Sequence, residues 1–332
     1  MKIVNQDAHL VESLFGNDVK KAATRDGYGQ ALLELAETDP DVVVLSADLT
    51  ESTRTLEFSK RYPERFIEAG VAEQNMAGMA AGLAFEGKIP FVSSFAVFSP
   101  GRNWDQIRVS ICYSKANVKI GGSHTGLTTG GDGATHQALE DIAMMRCLPN
   151  MVVLAPCDVI ETKKATIAAA RHKGPVYIRF ARDKTPVFTT DKTPFEIGKA
   201  VVFREGSDAA IIACGTMVYP ALQASEELAA LGLSVMVVDS PSIKPIDIET
   251  IVASAKDTGA IVTCEEHQIY GGLGGAVAEV LAARFPVPQE FVGVNDTFGE
   301  SGEPRELWDK YGLTVDHIVK AVTKAVARKG GY

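Results

Sequence analysis

An acidic residue followed by a run of small side chains is the first feature of this sequence that could do chemistry. In IEAGVAEQNMAGMAAGLAFEG, residues 67–87, Glu73 opens a helical pattern in which Ala72, Ala77, Gly78, Ala80, Ala81 and Gly82 permit close backbone approach. Such a helix suits a tight subunit or ligand interface, whereas a first-turn carboxylate alone gains only about 0.3–1 kcal/mol from the helix dipole. A second string, GGDGATHQ at 130–137, sets Asp132 in a glycine-rich stretch that reads as an ordered loop opening a helix. A third, YGGLGGAVAE at 270–279, lacks G-x-G-x-x-G spacing and reads as a structural turn. His267 falls at the end of a predicted strand, where ligands often bind in α/β folds, and is given no role. Cys112, Cys147, Cys157, Cys214 and Cys264 form no CxxC and read as buried free thiols. His9, His172 and His317 are expected to face solvent.

What must position these residues is a chain of 332 residues, enough for two cores at ~100 to 200 residues per domain. A formal charge of −9 repels phosphate backbones and anionic headgroups, which argues against nucleic acid and membrane surfaces. No apolar run approaches the ~20 residues that span a bilayer, and the polar N-terminus lacks a secretory pattern, so the chain is expected to be cytoplasmic. Strand-length apolar runs at 41–48, 88–95, 117–122, 150–156 and 174–181 alternate with helical stretches at 27–38, 74–85, 103–113, 137–145 and 158–172. Residues 182–198 lose that periodicity and mark a boundary, after which a shorter series resumes with helices at 219–231, after Pro245 and at 274–283. The pattern predicts an α/β chain of two domains, 1–190 and 191–332, each with a central, largely parallel sheet flanked by helices. The polar end after Lys324 is expected to fray.

GVAEQNMAG, then FVSSFAVF, then SHTGLTTGGDGATHQALEDIAMMRCLPN closely resemble the pyrimidine-binding domain of transketolases, and residues 198–330 resemble the C-terminal domain of that family. A full-length transketolase begins with a further domain that carries the metal and diphosphate site. The chain therefore resembles the C-terminal subunit of a split transketolase. The resemblance implies thiamine diphosphate as cofactor, Mg²⁺ or Ca²⁺ held by a separate N-terminal subunit, and an α2β2 assembly. It also implies transfer of a two-carbon ketol unit from a ketose phosphate to an aldose phosphate. Glu73 matches the family's cofactor-activating glutamate, which hydrogen-bonds N1′ of the aminopyrimidine and favours the imino tautomer that deprotonates the thiazolium. Phe95 and Phe98 match rings packed on the pyrimidine. Arg25, Ser52 and Arg182 match residues that grip sugar phosphate, which suits the paired donors of guanidinium. His124 and Asp132 match positions along the sugar hydroxyls, and His136 one near the reacting carbons.

Two departures bear on that resemblance. In thiamine diphosphate enzymes a Gly-Asp-Gly holds the metal together with an Asn some 25–30 residues on, a second oxygen donor for a hard cation; Asn150 is too close and the next Asn is Asn295, so Asp132 is assigned no metal. Gly101 stands where transketolases often place another aromatic, leaving Trp104 or the partner to complete the pyrimidine pocket. Deoxyxylulose phosphate synthases and 2-oxo acid dehydrogenase β subunits share parts of this frame. The former generally lack the histidine at position 124 and carry Arg in place of Phe98, and the latter have no reason to keep a phosphate-gripping set. A non-catalytic scaffold subunit is the alternative of another class, against which the joint presence of Glu73, His124 and His136 speaks.

Overall fold

A computed structural model describes residues 4–16 and 18–329. Runs such as VVVLS become strands buried on both faces, Val42–Ser46 with all five residues buried, because helices cover each side of the sheet. The larger sheet has seven strands in the order Ser242–Lys244, Val152–Leu154, Val176–Arg179, Lys119–Ser123, Ile89–Phe95, Val42–Ser46, Phe66–Glu68. The smaller has five, in the order Gln289–Val294, Ile261–Gln268, Ala209–Ala213, Val235–Asp239, Val201–Arg204. Each sheet is parallel except for one edge strand, Ser242–Lys244 in the first and Val201–Arg204 in the second. The expected fold class, two largely parallel sheets flanked by helices, is therefore the observed one.

The two units interlock. Strand Ser242–Lys244 follows the second sheet's Val235–Asp239 in sequence yet extends the first sheet. Ala8 and Leu14 pack into the second unit's core, and Asn5 N donates to Phe203 O at 3.0 Å. At the junction Asp239 meets Glu161 and Cys157, all buried, with their ligand atoms within 4.8 Å of one another. Burial raises both carboxyls, Glu161 raises Asp239 further, and hydrogen bonding with Asp239 pulls Glu161 back down, so the pair is best described as two carboxyls sharing a proton that rests on Asp239.

Local differences from the sequence pattern have identifiable causes. The helix expected at 137–145 is only Asp141–Arg146, because Gln137 Nε2 donates to Leu127, Gly130 and Glu300 carbonyls and Ala138 bridges to Thr125. Residues 103–113 begin as a short helix, Trp104–Gln106, and widen into a π-helical turn, Ile107–Tyr113. Within 182–198, Lys184–Pro186 pairs antiparallel with Lys21–Ala23, a three-residue strand too short to leave a periodic signal. The described part of the end does not fray at Lys324: helix Val315–Lys329 continues, with Ala325 buried and Lys329 Nζ donating to Thr258 O at 2.6 Å, while residues 330–332 lie outside the described residues. Cys147 is exposed and His172 and His317 are half-buried, against expectation, while His9 is exposed. No described helix is long and apolar enough to cross a membrane.

Candidate active site

The carboxyl ends of the first sheet's strands deliver most of the candidate residues. After Lys119–Ser123 the chain turns through His124, whose φ of 57° lies in the left-handed region. Ile89–Phe95 ends on Phe95, and Val42–Ser46 leads into the loop of Ser52. Helix Thr24–Thr38 presents Arg25 from its first turn, and this helix packs so closely on Val159–Arg171 that a Cβ at Gly27 would lie 2.1 Å from Val159 O.

Arg25, Ser52, Phe95, His124, Asp132 and Arg182 line one cavity. Arg25 Nη1 donates to Ser52 O at 2.8 Å and reaches His124 Nε2 at 3.5 Å, while its buried Nε has no hydrogen-bond partner among the described residues. An arginine can only donate, so His124 Nε2 accepts and Nδ1–H donates to Ser123 Oγ at 2.8 Å. Burial, reinforced by Arg25, Arg182 and Arg54, lowers the His124 pKa to about 3, so this ring is neutral at physiological pH. Arg182 Nη1 donates to Thr129 O at 2.9 Å and to Asp132 Oδ2 at 3.3 Å. Asp132 itself is exposed.

An aromatic stack adjoins the cavity. The rings of Phe95 and Phe98 are 5.9 Å apart and 10° from parallel, and the His124 ring stacks on Phe95 at 3.7 Å. His136 stands edge-on to Phe98 at 5.4 Å, with Nδ1 2.8 Å from Thr135 Oγ1. Glu73 is 1% exposed, the first residue of helix Glu73–Phe85, and Arg102 Nη1 lies 2.7 Å from both of its carboxylate oxygens. The same guanidinium lies 4.5 Å over the Phe98 ring, which ties Glu73 to the stack. All nine sequence-selected residues thus belong to one connected constellation.

The sequence reading missed three residues. Arg102, rather than Trp104, borders the Phe98 ring: Trp104 turns its Nε1 to Met144 O at 3.0 Å, and a side chain at Gly101 would clash, its Cβ 2.1 Å from Val97 O. Arg54 lines the cavity. Glu266, from the second sheet, is buried and accepts from Thr128 N at 2.7 Å, Thr216 Oγ1 at 2.7 Å and Trp308 Nε1 at 3.1 Å, fixing the loop between the two histidines. Arg54 and Arg102 are isolated charged residues in sequence. Only the glutamate pair of CEEHQ at a strand end hinted at a buried acid.

Family models match twice: the transketolase pyrimidine binding domain over residues 20–187 and the transketolase C-terminal domain over residues 198–318. The chain belongs to the transketolase family. Within it, the match is to the C-terminal section of transketolase that split-gene members encode as a separate chain. It is 48% identical over 308 residues to the "putative transketolase C-terminal section" of Methanocaldococcus jannaschii, covering 92% of this chain and 96% of that one. It is 44% identical over 305 residues to the 6-deoxy-6-sulfo-D-fructose transketolase subunit SqwH of a Clostridium species, covering 92% and 95%. Among solved structures, a split-gene transketolase described as an inactive β4 tetramer superposes with a TM-score of 0.87 at 52% identity, over 92% of this transketolase chain and 99% of that one. Campylobacter jejuni transketolase shares the fold, with a TM-score of 0.78 at 24% identity, over 94% of this chain and 50% of that one.

Proposed function

We propose that this chain is the pyrimidine-binding half of a two-chain transketolase that moves a ketol unit between sugar phosphates, working with an N-terminal partner subunit in an α2β2 assembly. The observation that carries this reading is the continuity of a buried carboxylate, a parallel aromatic pair and an arginine-lined cavity. An aminopyrimidine ring requires a flat apolar shelf and a carboxyl within hydrogen-bond reach of its ring nitrogen. Phe95 with Phe98 would supply the shelf, and Glu73, linked to Phe98 through Arg102, would supply the carboxyl. The diphosphate and its Mg²⁺ or Ca²⁺ are assigned to the partner, because exposed Asp132 is tied to Arg182 and has no second oxygen donor placed by the sequence.

Thiamine diphosphate, when bound, supplies the carbanion-stabilising chemistry that no side chain of this cavity offers. The protein's own part is proton placement and charge. Glu73 holds and shares a proton at the pyrimidine N1′, and Arg102 must leave its carboxylate for that bond to form. Neutral His124 offers Nε2 as an acceptor to a sugar hydroxyl that displaces the 3.5 Å contact from Arg25 Nη1, with Asp132 further along the same chain of hydroxyls. His136, half-buried against the aromatic pair, moves a proton at the donor's reacting carbons. Arg25, Ser52 and Arg182 seat the terminal phosphate, and the unpartnered Nε of Arg25 is one donor that a phosphate oxygen would satisfy.

The inactive β4 tetramer reported for a close relative agrees with a chain that lacks half of the catalytic apparatus. Transfer from xylulose 5-phosphate to ribose 5-phosphate, assayed for the chain with and without the partner, tests the reading. Activity is expected only with both chains, and full activity of this chain alone would overturn it.

A further inference from the structure

The loop LTESTRT places Arg54 beside the phosphate-seating residues in a conformation that arginine seldom adopts. Its φ is 65°, in the left-handed region, where an L-residue other than Gly, Asn or Asp is strained. The turn is fixed by its own hydrogen bonds, Thr53 N to Leu49 O at 2.9 Å, Arg54 N to Glu51 O at 3.1 Å and Thr55 N to Thr50 O at 3.0 Å. Asn or Gly would fill such a turn with less strain, so the identity of the side chain calls for another reason. Helix Thr24–Thr38 also yields to it: a Cβ at Gly29 would lie 2.8 Å from both Arg54 Cβ and Arg54 O.

The guanidinium is aimed as well as seated. Arg54 Nε donates to Asp26 Oδ1 at 2.7 Å, which fixes the plane of the group and leaves its terminal Nη donors for a ligand. Arg54 lines the cavity together with Arg25 and Arg182. Burial lowers the Arg25 pKa, and the nearby charges of Arg54 and Arg182 lower it further, as expected where three guanidiniums converge. The carboxylates facing them are accounted for: Asp26 is on Arg54 Nε, Asp132 is on Arg182 Nη1, and Glu51 is an exposed residue at the rim.

We propose that Arg54 is a specificity-determining residue, a third guanidinium that makes the cavity select substrates ending in a dianionic phosphate over monoanionic or uncharged ones. This rests on the transketolase reading and names the chemical class its substrates must share. Coulomb attraction scales with ligand charge, so each added cation widens the gap between a phosphate near −2 and a sulfonate at −1.

The test is Arg54→Asn in the assembled two-chain enzyme, since Asn tolerates the left-handed backbone and keeps the turn. Loss of a charge-assisted hydrogen bond, about 1.5–3 kcal/mol, predicts a roughly 10- to 100-fold fall in the ratio of kcat/KM for ribose 5-phosphate over glycolaldehyde as acceptor, arising in KM. Asp26→Asn retains the guanidinium but frees its plane, and should move the ratio the same way by less. An unchanged ratio, an equal loss with both acceptors, or a loss confined to kcat would overturn the assignment. If the wild-type pair shows no ketol transfer, the transketolase reading fails. Arg54 is then judged by titrating ribose 5-phosphate into this chain: weaker binding by Arg54→Asn supports it and equal binding overturns it.

Discussion

Two parallel sheets of similar construction end very differently in this molecule. At the carboxyl edge of the seven-stranded sheet, the chain leaves its strands through left-handed residues, Asp48 and Arg54 after Val42–Ser46 and His124 after Lys119–Ser123, and polar groups face a cavity. At the carboxyl end of Ile261–Gln268 in the five-stranded sheet, Glu265, Glu266 and His267 are satisfied from within. Glu265 accepts from Leu273 N and Gly274 N, both at 2.8 Å, so the glycine-rich turn that resembles an anion site is filled by the protein's own carboxylate. Glu266 props the loop between the histidines, and His267 Nδ1 lies 2.7 Å from Gln268 O. The strand ends of an α/β sheet are only a place where a site can form. What separates the end of Ile261–Gln268 from the open edge is that internal partners already occupy its two carboxylates and its imidazole.

Substitutions at the open edge should therefore alter chemistry with the fold retained, and those at the closed edge should alter stability. The largest effect is expected for Glu73→Gln in the assembled pair, a fall in turnover on the order of 10²- to 10⁴-fold with an unchanged circular dichroism spectrum. A change of only a few fold would reduce Glu73 to a helix-end carboxylate. Next is Glu266→Ala, which strands Thr128 N, Thr216 Oγ1 and Trp308 Nε1. A loss of about 1–3 kcal/mol per stranded buried group predicts a melting temperature lower by several degrees even without substrate or partner. A melting curve like the wild type's would erase the distinction between the two edges.

The pH response should carry opposite signs in two buried places. Asp239 has its pKa raised well above its ordinary value of 3.8, chiefly by burial and then by Glu161. Its folded form holds the proton more tightly, so its contribution is full below that ordinary value and is lost as pH rises through the folded-state value. Asp239→Asn should gain stability relative to the wild type as pH rises above that ordinary value in denaturant melts; a constant difference would mean that no proton is shared there. His124 is lowered from 6.5 to about 3, again chiefly by burial. Its contribution is present above 6.5 and lost as pH falls toward 3, so His124→Asn, compatible with the left-handed backbone, should flatten the acid limb of the stability curve. An acid limb as steep as the wild type's would place the titration elsewhere.

Much of this arrangement was legible in the sequence for a physical reason. A buried parallel strand must be apolar throughout, so VVVLSAD and NMVVLAP announce themselves, and a carboxylate ahead of a small-residue helix is a local pattern. What escaped was set by contacts distant in sequence. Ser242–Lys244 belongs to the first sheet only because the second unit reaches across, and Gln137 shortens a helix through bonds to Leu127 and Glu300. Arg54 and Arg102 are ordinary surface cations in the text of the chain. They become part of the candidate site through a left-handed φ in one case and a buried glutamate in the other.

The most direct test of the two-chain reading is a titration of the N-terminal partner into a fixed amount of this chain, with ketol transfer from xylulose 5-phosphate to ribose 5-phosphate as the readout. The rate should start near zero and rise to a plateau at one partner per chain, and Glu73→Gln should saturate at the same ratio with a plateau lower by orders of magnitude. A rate independent of the partner, or a Glu73→Gln plateau equal to the wild type's, would contradict it.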